Sequence, residues 1–349
     1  MFERLSYLNS GTEGPLSTRA ADAARERIEL ELTDGRCGRV YFESLMELAA
    51  SARAAYAGVL GCSADDVALT GSTTDGVNTV LSGLDLRPGD EIVTSDEEHP
   101  GLLAPLGRAR IRNGIKVLVV PFDELANAVT PSTRLVACSH VSWVGGKVVD
   151  HEALKATGVS FLLDGAQGIG AVPVDVHELG CDFYAGSGQK WLSGPEGSGA
   201  LYVNPERLDE LLPPWPGYGS VAPGKTLDFE PAEGVKRLDH GFPSGLRNAW
   251  AVASMAVLAE AGWDWVHERA ATLAAWLAEH LRERGITVAE RGRSTLVSWS
   301  AVDPDADVGR LSKLGIVVRS IPSHSLVRAS VGAWNSEEEL ERLVGRAAF

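Results

Sequence analysis

The chain has 349 residues, 44% of them hydrophobic, which is enough to bury a large core in two or three units and excludes disorder as its global state. Asp and Glu outnumber Lys and Arg by 47 to 32, and the resulting formal net charge of −15 argues against a nucleic-acid backbone as partner. The four cysteines, Cys37, Cys62, Cys138 and Cys181, form no Cys-x-x-Cys pair and point to a reducing compartment. The opening MFERLSYLNSG has no long apolar core and is no secretory signal. The most apolar helix, roughly Ala249 to Trp265, carries Glu260 and Asp264 and falls short of a membrane span. A cytoplasmic protein with no membrane partner is expected.

In chain order, YLNSGTEGPLS is an extended arm broken by Gly11, Gly14 and Pro15, and Ser17 signals the start of a helix. Amphipathic helices are predicted at about Thr18 to Leu32 and Glu43 to Leu60, separated by a loop with Gly35 and Gly38. DDVALTGSTTDGVNTVLSGL then reads as a short strand, a Gly-Ser-Thr-Thr turn and a helix. Free amides and hydroxyls at a helix start are a ready phosphate site, although such a turn is more often a plain N-cap. A strand at Glu91 to Thr94 leads to His99, and a lone histidine is more often structural. Helix Leu102 to Asn113 and strands Ile115 to Val119 and Leu135 to Ser139 continue the alternation of a parallel sheet covered by helices.

Two further apolar runs define the centre of the chain. Val159 to Leu163 ends on Asp164, and Phe183 to Ala185 ends on Ser187-Gly188-Gln189-Lys190. Side chains just past the C-terminal ends of parallel strands converge on one crevice, so an acid and an amine face a common site. Pyridoxal phosphate chemistry needs that pair: an amine that condenses with the cofactor aldehyde, and an acid that keeps the pyridine nitrogen protonated. The bland alternative is a helix cap and a solvated surface amine. Lys190, however, is one of only seven lysines and lies between an apolar strand and Trp191-Leu192, where an amine is desolvated and made nucleophilic.

No P-loop, Gly-x-Gly-x-x-Gly or His-Glu-x-x-His spacing occurs, and no metal site is expected. From Leu211 to Lys225 the chain is rich in Pro and Gly and reads as a long functional loop. Helices follow at about Leu246 to Ala261 and Trp263 to Arg284. ITVAE, TLVSWS, a helix at Asp307 to Leu314 and the Gly315 to Val344 stretch then form a smaller α/β unit. Ser336 with Glu339 is a capping-box signature for the last helix. Arg319 and Arg328 lie in apolar strands, where a guanidinium suits bidentate grip on a carboxylate, with snorkelling to solvent as the alternative for Arg319.

These motifs, Asp164-x-x-Gln167, Ser187-x-Gln189-Lys190, LTGSTTDGVN, EEHPG, SHVSW and the Arg319 to Arg328 segment, resemble the class V aminotransferase and cysteine desulfurase family. The family has histidine where Gln189 stands. The resemblance implies the α/β fold type I of pyridoxal-phosphate enzymes: a mostly parallel seven-stranded sheet in a large domain (18–240), a small C-terminal domain (241–349), an N-terminal arm (1–17) and a homodimer. It further implies that Lys190, Asp164 and His99 are catalytic, His99 stacking on the pyridine ring. Thr73, Thr74, Gln167, Ser187, Gln189 and Trp143 would bind the cofactor, with Asn78 also on a matching position. Arg328 would hold a substrate α-carboxylate, with Arg319 and Asn9 as neighbours and Gly11 on the active-site wall. Several family members reach the partner's phosphate with a threonine where this chain has Phe242; either Ser244 substitutes or the contact is missing. With no cysteine after Cys181, a persulfide relay is disfavoured, and the resemblance is nearest to the cystine or cysteine carbon-sulfur lyases. Aminotransferases and epimerases of the isopenicillin N type share the motifs and are the alternatives. A non-catalytic binding protein would be expected to have lost Lys190 or Asp164.

Overall fold

The structure, a computed structural model, describes residues 4–347. The chain opens with β1 (Ser6–Tyr7), α1 (Thr18–Thr33) and α2 (Gly38–Leu60). The elements β2 (Val67–Thr70), α3 (Thr73–Gly83), β3 (Glu91–Ser95), α4 (Pro100–Asn113), β4 (Lys116–Val120) and β5 (Thr133–Ser139) follow. Next come α5 (His151–Ala156), β6 (Phe161–Asp164), α6 (Val176–Leu179), β7 (Phe183–Ser187) and β8 (Gly199–Val203). Seven strands form one sheet in the order β2-β8-β7-β6-β5-β3-β4. It is parallel from β4 through β7, and β8 runs antiparallel between β7 and β2.

Both faces of this sheet are buried except at the edge strand β4, which is why its inner strands read as continuous apolar runs. Val136, Cys138 and Leu163 point to one side, where Tyr56 and Leu60 of α2 cover them. Leu135, Ala137, Leu162, Phe183 and Ala185 point to the other, against Val77 and Val80 of α3 and Leu102 and Leu106 of α4. By the two-residue period, Ser139, Asp164 and Ser187 belong to the α3/α4 side, at the C-terminal ends of their strands. Two departures from the sequence reading have local causes. Helix α2 begins at Gly38, five residues early, and the exposed Arg39–Glu43 pair at 2.6 Å supports the added turn. β8, wholly buried, is absent from the reading because its short GALYV run follows a glycine-rich turn.

The chain continues with α7 (Gly245–Ala261), which packs on α1 and α2, and α8 (Trp263–Glu283). It ends with β9 (Leu296–Ser300), α9 (Pro304–Lys313), β10 (Ile316–Val317), β11 (Arg319–Ile321), β12 (Leu326–Ser330) and α10 (Glu337–Val344). β11, β12 and β9 make a three-stranded antiparallel sheet that shares a core with α8, α10 and Leu8 of the arm. The arm is tied in by β1 pairing with β10 and by the Ser330 amide donating to the Leu8 carbonyl at 2.7 Å. Predicted strand ITVAE contributes only an isolated bridge, Val288 to Trp299. The predicted capping box is formed by Ser336 and Glu339. No helix among the described residues is long and apolar enough to cross a membrane.

Candidate active site

The C-terminal edge of the large sheet, the arm and the small sheet enclose a cleft of about 250 Å³. At one end stands the N-terminus of α3. Ser72 caps it, accepting from the Asp75 amide at 3.1 Å, and Thr73 and Thr74 form its first turn. Thr73 Oγ1, Ser187 Oγ and Gln189 Oε1 are buried without hydrogen-bond partners, and all three residues line the cleft. Orphaned buried polar atoms are rare because each costs about 1–3 kcal/mol, so the cluster fits a polar group bound at the helix start. Asn78 faces elsewhere, donating to the Thr74 carbonyl at 2.9 Å, and so braces the same turn.

Asp164 and Lys190 occupy the floor. Asp164 is buried at the end of β6, and burial raises its carboxyl pKa against the opposing effects of the Ala166 amide (2.9 Å) and Lys190. Burial lowers the Lys190 amine to about 8, with Arg328 and Arg319 acting in the same direction and Asp164 opposing them. The lysine backbone is fixed by the arm: the Gly14 amide donates to the Gln189 carbonyl at 2.7 Å, and a Cβ at Gly14 would collide with the Lys190 carbonyl. His99 caps α4, its Nδ1 accepting from the Gly101 amide at 2.9 Å, and meets the Trp143 ring edge-on at 4.8 Å. Desolvation, then Lys190, Arg319 and Arg328, lower its pKa to about 4, so this imidazole is neutral at pH 7.

The third wall is cationic. Arg319 and Arg328 are directly paired across β11 and β12. Arg328 is 0% exposed; its Nη1 donates to the Trp143 carbonyl at 2.5 Å, while Nε and Nη2 have no partner. Burial and Arg319 together lower its pKa to about 9. Neither arginine makes an ion pair among the described residues. An uncompensated buried charge costs several kcal/mol; Arg328 does not itself line the cleft, but its Nη2 would stand 3.0 Å from a Cβ on Gly11, which does. Arg319 donates from Nη1 to Thr12 Oγ1 at 3.2 Å and stands 5.8 Å from the Trp143 ring centroid.

Trp143 belongs to a loop that leaves the large sheet and is clasped by the small one. Ser298 Oγ donates to the Val144 carbonyl at 2.5 Å, and Ser294 Oγ and the Gly292 amide donate to the Gly146 carbonyl at 2.6 and 3.0 Å. Trp143 and Val144 pack against Ile321 of β11.

Other predicted residues stand apart from the reacting end. Gln167 lines the cleft with both amide atoms engaged, Nε2 donating to the Gly11 carbonyl (2.8 Å) and Oε1 accepting from Trp191 Nε1 (3.0 Å). Asn9 shapes the turn that delivers Gly11 and Thr12 to the cleft, its Oδ1 accepting from Thr12 Oγ1 at 3.0 Å. Ser244 is the N-cap of α7, and Phe242 is 54% exposed beside Phe42; neither lines the cleft of its own chain. The sequence reading missed Thr12, whose hydroxyl meets Arg319, and no spacing in the arm distinguishes it.

The fold and this cleft define a pyridoxal-phosphate-dependent enzyme of fold type I. The family described as aminotransferase class-V matches residues 33–343, and the chain belongs to that family. A probable cysteine desulfurase of Pyrococcus abyssi is 30% identical, the match covering 80% of this chain and 78% of the relative. An isopenicillin N epimerase of Amycolatopsis lactamdurans is 31% identical over 97% of this chain and 93% of its own. The solved structure of the cystine C-S lyase C-DES with its reaction product cysteine persulfide superposes with a TM-score of 0.92 at 29% identity, covering 98% of this chain and 97% of that one.

Proposed function

We propose that this enzyme is a carbon-sulfur β-lyase that eliminates from cystine, cysteine or a cysteine conjugate without a catalytic cysteine. The observation that carries the reading is the cleft itself: the desolvated Lys190 amine and Arg319 line it, Arg328 lies directly behind Gly11 of its wall, and no cysteine lines it among the described residues. When bound, pyridoxal phosphate supplies the electron sink for the bond electrons at the substrate α-carbon. Thr73, Thr74, Ser187 and Gln189 would hold its phosphate end, and Asp164 would keep the pyridine nitrogen protonated. His99, neutral at pH 7, would cover the ring face without adding charge beside Lys190, Arg319 and Arg328. Arg328 takes the substrate carboxylate on its free edge, assisted by Arg319. Lys190 Nζ receives the α-proton; the Cβ–S bond then breaks with its electron pair leaving on sulfur, and hydrolysis gives pyruvate and ammonia, with sulfide from cysteine, a thiol from a conjugate or a persulfide from cystine.

Incubation with cystine, cysteine and cysteine conjugates tests the reaction. Pyruvate release without any 2-oxo acid is expected. Conversion of the cofactor to pyridoxamine phosphate with alanine would replace this reading by an aminotransferase. Amino-acid epimerase is the second reading, supported by the near full-length likeness to the epimerase; loss of optical activity without pyruvate would establish it.

Asp164→Asn is expected to keep the cofactor and lose roughly 100-fold or more in turnover, since a neutral amide no longer favours a protonated pyridine nitrogen. Near-normal turnover would remove Asp164 from that role. Two copies are proposed to associate through the exposed apolar face of Phe42, Met46, Phe242 and Leu246, and sedimentation as a monomer would refute this.

A further inference from the structure

A second buried acid lies beneath the cleft. Glu98, 4% exposed, precedes His99 in the loop between β3 and α4. Its carboxylate accepts from Ser95 Oγ at 2.5 Å, from Ser139 Oγ at 2.5 Å and from the Ser139 amide at 2.9 and 3.0 Å. Glu98 therefore joins the ends of β3 and β5. Ser139 is the in-register neighbour of Asp164 on β6, and the two side chains project from the same face. Both carboxylate oxygens accept, Oε1 from Ser95 Oγ and Oε2 from Ser139 Oγ, and an amide, with one acceptor oxygen, could not take both bonds as they stand.

We propose that Glu98 is a positioning residue of this active site, holding His99 and Asp164 in mutual register, and that its ionisation is felt by Asp164. The role rests on the placement of Asp164 and His99 around the cofactor. The titratable groups that face Glu98 are Asp164 from β6 and Cys138 from β5, and no cation pairs with it among the described residues. Burial raises its pKa to about 7, the Ser139 and Ser95 bonds oppose that rise, and Asp164 adds to it. The carboxyl is thus neutral at acid pH and acquires its charge near neutrality.

The test is a pH titration of the cofactor absorption band of the holoenzyme, with steady-state kinetics, in wild type, Glu98→Gln and Ser139→Ala. Wild type is expected to show an ionisation near pH 7 that Glu98→Gln lacks. In that variant kcat should fall about 10- to 100-fold with KM within about twofold, the signature of misplaced groups and not of lost binding. Ser139→Ala should move the midpoint upward, because the hydroxyl bond favours the charged form. A Glu98→Gln enzyme with the wild-type titration and kcat overturns the proposal. If that variant does not fold, an unmoved midpoint in Ser139→Ala overturns it instead. Failure of the underlying site assignment is separate and is read from normal turnover in Asp164→Asn.

Discussion

Lys190→Ala is expected to abolish borohydride fixation of the cofactor to the protein and to lower turnover by roughly four orders of magnitude. The hydroxyls at the start of α3 and Asp164 are untouched by this change, so the variant still takes up cofactor reversibly. Reduction that labels Lys147 or Lys225 in the wild type would overturn the assignment. Lys147 has a different setting: Asp123, Glu290 and Glu97 surround its ammonium at 2.7, 3.3 and 3.5 Å and hold it protonated. The sign of the pH effect follows from the lowered Lys190 pKa. A free amine is the nucleophile, so cofactor capture by the apoprotein should rise with pH through about 8 and level off above it. An unperturbed lysine would place that rise about two units higher.

Arg328→Lys is expected to raise KM for the amino-acid substrate roughly 10- to 150-fold while the cofactor spectrum is unchanged. The substitution keeps the charge but loses the planar fork, and losing one of two charge-assisted hydrogen bonds costs about 1.5–3 kcal/mol. The Trp143 carbonyl engages Nη1, and Nε and Nη2 are without a partner among the described residues, which is the edge the proposal gives to the carboxylate. Wild-type KM in the variant would remove Arg328 from the carboxylate site. Arg319→Lys should have the smaller effect, because Arg319 already donates to Thr12 Oγ1 and the Ser320 carbonyl.

Much of this arrangement is legible before any coordinates. Alternating apolar runs that each end on a polar residue place Asp164, Ser187 and Lys190 on one edge of a parallel sheet, and the Gly-Ser-Thr-Thr turn marks the helix start that completes the floor. What the sequence hides is pairing across distance. Arg319 and Arg328 sit nine residues apart, and only the β11/β12 register sets them side by side. Glu98 reads as half of an ordinary acidic pair before His99, because nothing local shows that Glu98 turns inward to Ser139 while Glu97 bonds Ser142. β8, as long as β7, is hidden by the glycine-rich turn that precedes it. Ser244 shows the reverse case: one hydroxyl fits two roles in the sequence, and its place here as the N-cap of α7 depends on where the helix begins.

The clasp on the Trp143 loop has a mechanical consequence. This loop is covalently part of the large sheet, yet its carbonyls are held by Ser294, Ser298 and Arg328 of the small one. Any hinge excursion of the small unit that preserves those bonds must carry the tryptophan and the guanidinium fork outward as one piece. Lys190 and Asp164 stay with the stationary sheet. If Arg328 binds the carboxylate as proposed, the tryptophan and the fork that grips the substrate would move together and not separately.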